Sequence, residues 1–138
     1  MSDQATSDTP DTSGLPRLLI ADDDAVVRST LSAQLSGSFD VVAAAQDTTE
    51  AIDLAVRHRP DAALIDVNMP GGGGLEAVRR ITADCPGVSL VILSGDEEHD
   101  HVVELLNAGA VAYVRKGATG AEIADTIARS IQARTTDR

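Results

Sequence analysis

Tryptophan is absent from the 138-residue chain, and phenylalanine, tyrosine, cysteine and lysine each occur once. A single thiol excludes an internal disulfide framework and any metal site built from several thiolates. That thiol, Cys85, has no basic neighbour in sequence and is read as structural. Basic residues are scarce as well: 11 Lys and Arg stand against 22 Asp and Glu, a formal charge of −11. That balance opposes binding to nucleic acid or anionic lipid, both of which need a cationic surface. Long apolar runs are missing, and the longest, such as Val88 to Leu93, are strand-length, so no membrane span is expected. Residues 1–14 carry no basic residue and no apolar run, unlike a signal peptide. These exclusions leave a cytoplasmic domain as the expectation. A chain of this length is a one-domain proposition that buries roughly two-thirds of its unfolded surface. With 43% apolar residues, its core can be built from Leu, Ile, Val and Ala without aromatic bulk.

What is present begins with a polar leader over 1–14, rich in Ser, Thr and Asp, which buries too little to order itself. From there a domain over 15–134 is expected, with 135–138 as a short tail. Short apolar runs recur at Leu18–Ala21, Val41–Ala45, Ala62–Ile65, Val88–Leu93 and Ala112–Val114. Helical spacing fills the intervals at 25–36, 48–58, 75–83, 97–107 and 120–133. Asp24 stands as the N-cap of the first helix. Pro60 and Pro86 stop the second and third, and Gly109 closes the fourth. Five near-continuous apolar strands alternating with five helices predict an α/β fold, a doubly wound parallel sheet covered on both faces.

In such sheets the ligand crevice lies beyond the carboxyl ends of the strands. There the sequence places Asp22, Asp23 and Asp24 after strand one, Asp66 after strand three, Ser94 after strand four and Lys116 after strand five. Lys116 is the only lysine among ten arginines, and its compact charge suits a phosphoryl oxygen. Clustered carboxylates repel one another, and a hard divalent cation such as Mg²⁺ removes that penalty. Asp22, Asp23 and Asp66 against one Mg²⁺ and Lys116 sum to zero charge. A phosphoryl group on the Asp66 carboxylate would then face a cation, an ammonium and a hydroxyl, the parts that phosphoryl transfer needs.

The runs LLIADDD (18–24), PDAALIDVNMP (60–70), VILSG (91–95) and AYVRK (112–116) resemble the receiver domain of bacterial two-component response regulators over about residues 16–134. The resemblance implies a flavodoxin-like (βα)5 fold with a five-stranded parallel sheet in the order 2-1-3-4-5. It implies that Asp66 accepts a phosphoryl group from a histidine kinase or a histidine phosphotransfer protein. Mg²⁺ would be the cofactor, held by Asp66, by Asp23 directly, by Asp22 through water and by the Asn68 backbone carbonyl. Ser94 and Lys116 match the family's phosphate-sensing hydroxyl and lysine, and Tyr113 matches the aromatic that turns inward when the hydroxyl moves. The face of helix four, strand five and helix five would then change its affinity for a downstream protein or for an output domain of its own. Homodimerisation on phosphorylation is a further expectation. Beyond gaining and losing the phosphoryl group, no enzymatic activity is expected, nor contact with nucleic acid or membrane through this domain.

Two departures from the family pattern stand out. Gly71–Gly74 replaces a loop that usually carries side chains, so mobility is expected there. Gly117 follows Lys116 where proline is common, so no cis peptide is implied. Asn68 and Asp96 occupy positions that tune phosphoryl lifetime in the family. A phosphate-loop reading of the glycines fails because no Gly-Lys-Ser/Thr follows them. His99 and His101 flank Asp100 and are read as a solvated helix start. Two other functions fit parts of the pattern. The chain would be the N-terminal receiver of a DNA-binding transcriptional regulator, since its motif style resembles receivers joined to a helix-turn-helix domain. Only residues 135–138 follow the last helix, so no effector domain is expected within the chain itself. Alternatively it would be a phosphatase of haloacid-dehalogenase type, with Asp22 as nucleophile and Asp24 as acid/base. Against this, the acidic motif precedes the lysine instead of following it, and Asp66 is left without a role.

Overall fold

A computed structural model describes residues 14–95 and 99–136 of the chain. The leader expected over 1–14 therefore lies outside the described residues except for Gly14, as do Asp96, Glu97, Glu98 and residues 137–138. The elements follow as β1 (Arg17–Ala21), α1 (Ala25–Leu35), β2 (Asp40–Ala45), α2 (Thr48–His58), β3 (Ala62–Asp66), α3 (Gly73–Asp84), β4 (Ser89–Ser94), α4 (His99–Ala108), β5 (Ala112–Arg115) and α5 (Gly120–Thr136). All strand pairs are parallel, and the sheet order is β2-β1-β3-β4-β5, the order expected.

The pleat explains how two cores form. Leu18, Ile20 and Leu64 face one side, where Leu31 and Leu35 of α1 and Ile123 and Ile127 of α5 cover them. Leu19, Ile65 and Ile92 face the other, beneath Ala55 of α2, Val78 and Ile81 of α3 and Leu105 of α4. Each fully buried Leu or Ile contributes roughly 1.5–3 kcal/mol. The sole phenylalanine, Phe39, lies buried in the first cluster, and Cys85 is buried in the second. Among the described residues no helix is long and apolar enough to cross a membrane.

Helix ends follow local chemistry. The Asp24 side chain accepts from the N–H groups of Val26 and Val27, as expected of its cap position. Asp47 accepts from the Glu50 N–H while Glu50 accepts from the Gln46 N–H, bracing the start of α2 from both directions. Thr119 and Glu122 form a reciprocal box at α5. Among the described residues two helix bounds differ from the sequence expectation by two residues or more. Helix α3 begins at Gly73, two residues before Leu75, because packing on β3 overrides glycine's poor helix propensity. Helix α5 continues to Thr136, and Arg134 in its last turn donates to the Pro86 carbonyl.

Candidate functional site

The carboxyl ends of the strands are laced together by backbone hydrogen bonds. Asp22 N–H donates to the Ala45 carbonyl at 3.0 Å, Val67 N–H to that of Leu93 at 3.2 Å, and Lys116 N–H to that of Ser94 at 2.8 Å. This lacing fixes Asp22 just past β1, Asp66 at the end of β3, Ser94 at the end of β4 and Lys116 just past β5. The edge predicted from sequence is therefore one physical place.

Asp22 and Asp66 are buried, with 3% and 1% of their surface exposed, and Asp23 is open to solvent. Oxygens of the three lie within 4.8 Å of one another. Three carboxylate oxygens gathered this closely form the hard-oxygen donor set that Mg²⁺ prefers. Burial pushes the Asp22 carboxyl above the usual carboxylate range. The hydrogen bond from Asp24 N–H, 2.9 Å from Asp22 Oδ1, opposes the rise. Repulsion from Asp66 adds to it, Lys116 opposes it, and Asp23 adds again. A buried carboxylate facing two others is a group that a cation would relieve. The chemistry of the donor set therefore fits Mg²⁺. Among the described residues this is the one group of His, Cys, Asp and Glu close enough to hold a metal. His101 is exposed and apart from it, while the side chains of His99 and Asp100 lie outside the described residues.

Lys116 Nζ pairs with Asp66 Oδ1 at 2.9 Å, and 42% of its side chain remains exposed. Asn68 N–H also donates to Asp66 Oδ1, at 3.3 Å, which places Asn68 beside the carboxylate. Ser94 is buried at the β4 end, where its backbone carbonyl accepts from the Lys116 N–H. Arg28 of α1 donates from Nη1 to the Asp22 carbonyl at 2.8 Å and so pins the β1–α1 turn. Asp24 stands apart from the cluster, its oxygen engaged in capping α1. That leaves it poorly suited to the acid/base role of the phosphatase reading. A cleft of about 400 Å³ opens over Asp22, Asp23, Asp66 and Lys116 and runs between α1 and the start of α5, past Leu31 and Ile123.

Tyr113 is not gathered into the cluster. Paired in register with Ile92 on β5, it lies on the sheet face covered by α2 to α4, and 45% of it is exposed. Val103 and Leu106 on α4 and Val111 before β5 are exposed apolar residues as well. The glycine run is not a featureless hinge. Gly71, Gly72 and Gly73 have φ of +91°, +120° and +78°, which L-residues rarely adopt. A Cβ on Gly74 would stand 2.9 Å from Val67 Cα, so that position needs glycine for close approach to β3. Sequence reading missed Thr48, which is buried at the start of α2 against this run. Its only signal would have been a Thr just inside a capped helix.

Comparison with known proteins gives the following. A family model described as the response regulator receiver domain matches residues 18–128. The chain is 40% identical over 115 residues to a protein-glutamate methylesterase/protein-glutamine glutaminase of Haloarcula marismortui, covering 82% of this chain and 31% of that one. It is 36% identical over 113 residues to the transcriptional regulatory protein LiaR of Bacillus subtilis, covering 80% of this chain and 54% of that one. Among solved structures, a two-component response regulator of the LuxR family from Aurantimonas superposes with a TM-score of 0.81 at 28% identity, covering 88% of each chain. The chain thus spans about a third to a half of the length of these curated relatives.

Proposed function

The chain belongs to the response regulator receiver family, and from that premise we propose that it is a phosphorylation-dependent switch whose acceptor is the Asp66 carboxylate. The observation that carries the reading is the Asp66–Lys116 ion pair, 2.9 Å long, at the mouth of the three-carboxylate cluster. Both donors to Asp66 use Oδ1, which leaves Oδ2 to attack phosphorus. A P–O bond to Asp66 forms, and the bond from phosphorus to the donor's histidine nitrogen breaks, the electron pair leaving with that nitrogen. Lys116 then exchanges its partner, swinging from the carboxylate to the new phosphoryl oxygens. Asp22, Asp23, Asp66 and the Asn68 carbonyl would hold Mg²⁺, which when bound supplies charge neutralisation for those oxygens. Burial of Asp22 and Asp66 lowers the local dielectric, which strengthens each of these contacts.

The switch runs through Ser94, whose hydroxyl is drawn to the phosphoryl group and makes room for Tyr113 to turn inward from its exposed position. The exposed Val103, Leu106, Val111 and Tyr113 support the α4–β5–α5 face as the surface that a downstream partner reads. A histidine kinase or histidine phosphotransfer protein supplies the phosphoryl group, and a phosphorylated homodimer is one form of output. The chain's own chemistry is confined to gaining and losing that group. Intact-mass spectrometry after treatment with acetyl phosphate and Mg²⁺ tests the assignment. The adduct is expected in wild type and lost in Asp66→Asn. An adduct that survives Asp66→Asn and vanishes in Asp22→Asn would transfer the acceptor role to Asp22 and overturn the reading.

Similarity to LiaR favours a second reading of the output, in which this receiver is part of a longer transcriptional regulator. Immunoblotting of native cells separates the two: a band at the mass of this chain alone refutes the longer form.

A further inference from the structure

We propose that Thr48 is a positioning residue for the phosphoryl site, holding the glycine-rich β3–α3 loop through its side-chain hydroxyl. The inference rests on the reading of Asp66 and Asn68 given above. Residues 67–74 connect Asp66 to α3 and contain Gly71, Gly72 and Gly73 at positive φ. Glycine loses more conformational freedom on ordering than any other residue, so these three make the loop costly to order. Something must therefore hold it if Asn68 is to stay beside the carboxylate.

At its α3 end the loop is closed by Gly74 N–H donating to the Val67 carbonyl at 2.8 Å. On the side facing α2, two hydrogen bonds come from one residue. Thr48 N–H donates to the Pro70 carbonyl at 3.0 Å, and Thr48 Oγ1–H donates to the Gly73 carbonyl at 3.0 Å. The two bonds bracket the three left-handed glycines. The side chain also fills the space over Gly71, where a Cβ would touch Thr48 Cβ at 3.5 Å; over Gly72 it shares the space with Glu76, whose Cβ would be met at 3.0 Å and Thr48 Cγ2 at 3.9 Å. Thr48 is 1% exposed, so its hydroxyl bond is shielded from competing water.

The anchor is itself rigid. Asp47 and Glu50 brace the turn that carries Thr48, through bonds of 2.8 Å to the Glu50 N–H and from the Gln46 N–H. The chain of constraint thus runs from the start of α2, through Thr48, to the glycine-rich loop, and on to Asn68 and Asp66. Thr48 touches neither the carboxylates nor the transferred group, so its role is positioning and not catalysis.

The test compares Thr48→Val, which keeps the shape and loses the hydroxyl, with Thr48→Ser, which keeps the hydroxyl. Amide hydrogen exchange of residues 68–74 is measured without metal, and Mg²⁺ affinity is measured by calorimetric titration. Thr48→Val is expected to exchange faster across the loop and to bind Mg²⁺ about three- to tenfold more weakly, the usual worth of one such bond. Thr48→Ser is expected to restore both. Wild-type exchange and affinity in Thr48→Val overturn the proposal, as does a Thr48→Ser defect as large as that of Thr48→Val. A wild-type protein that takes no phosphoryl group on Asp66 overturns instead the reading on which the proposal rests, while the exchange result still judges the tether.

Discussion

Adding one methyl group at position 74 should weaken the fold and disturb Asp66 together. In Gly74→Ala the new Cβ would lie 2.9 Å from Val67 Cα and 3.1 Å from the carbonyl oxygens of both Asp66 and Val67. Carbon atoms rest comfortably at about 3.5–4.0 Å, so the methyl group is short of room by about 0.6 Å or more against backbone that has no rotamer to change. Helix α3 cannot simply recede, because Ala77, Val78 and Ile81 are fully buried beneath the same face. Overpacking of this kind costs about 1–3 kcal/mol. Replacing a helical glycine by alanine returns up to about 1 kcal/mol. A net loss of about 1 kcal/mol remains, which for a domain of this size lowers Tm by about 4 °C. Thermal unfolding followed by circular dichroism measures it, with Gly87→Ala as control, since a Cβ at Gly87 meets nothing within 4 Å. The same variant should accept phosphoryl groups from acetyl phosphate more slowly, because the crowded atoms include the Asp66 carbonyl itself. A Tm for Gly74→Ala at or above wild type would refute the close-packing argument.

Two further perturbations follow from groups whose surroundings are unfavourable. Thr82 Oγ1 is buried with no hydrogen-bond partner among the described residues, so Thr82→Val should stabilise by about 1 kcal/mol and raise Tm by about 4 °C; an unchanged or lower Tm would reveal a partner for the hydroxyl. Asp22 has a folded-state pKa raised above its ordinary 3.8, so its ionised form destabilises the metal-free protein at neutral pH, and this penalty is relieved as pH falls through the raised value. Asp22→Asn should therefore unfold at a higher temperature than wild type at neutral pH without Mg²⁺, with the difference shrinking as the solution is acidified. A variant less stable than wild type at neutral pH contradicts that sign.

Much of the architecture was legible because strand burial and helix periodicity are local signals. Apolar runs at Leu18–Ala21 and Ala62–Ile65 read as buried strands without any knowledge of their partners, and the aspartates that follow them, Asp22 and Asp66, pointed to the candidate site. The Asp24 cap was equally local. What escaped depends on contacts between residues distant in sequence. The Thr48 hydroxyl reaches a carbonyl 25 positions away, and neither end announces the other. Gly74 read as a source of freedom, whereas its missing side chain makes room for Val67. Mobility and close approach leave the same letter in the sequence, and only the packing separates them. The start of α3 was misplaced for the same reason, since propensity alone argues against a helix beginning Gly-Gly.

The scarcity of aromatic residues has an optical consequence. With no tryptophan and a single tyrosine, the near-ultraviolet absorption and emission of the protein come almost entirely from one ring. That ring sits on β5, half in water, at the edge of the sheet two strands away from Asp66. The chain therefore carries a built-in chromophore at the far end of its proposed switch, unmixed with signals from the core. Emission, quenching and anisotropy of the unlabelled protein report on the surroundings of Tyr113 and on little else.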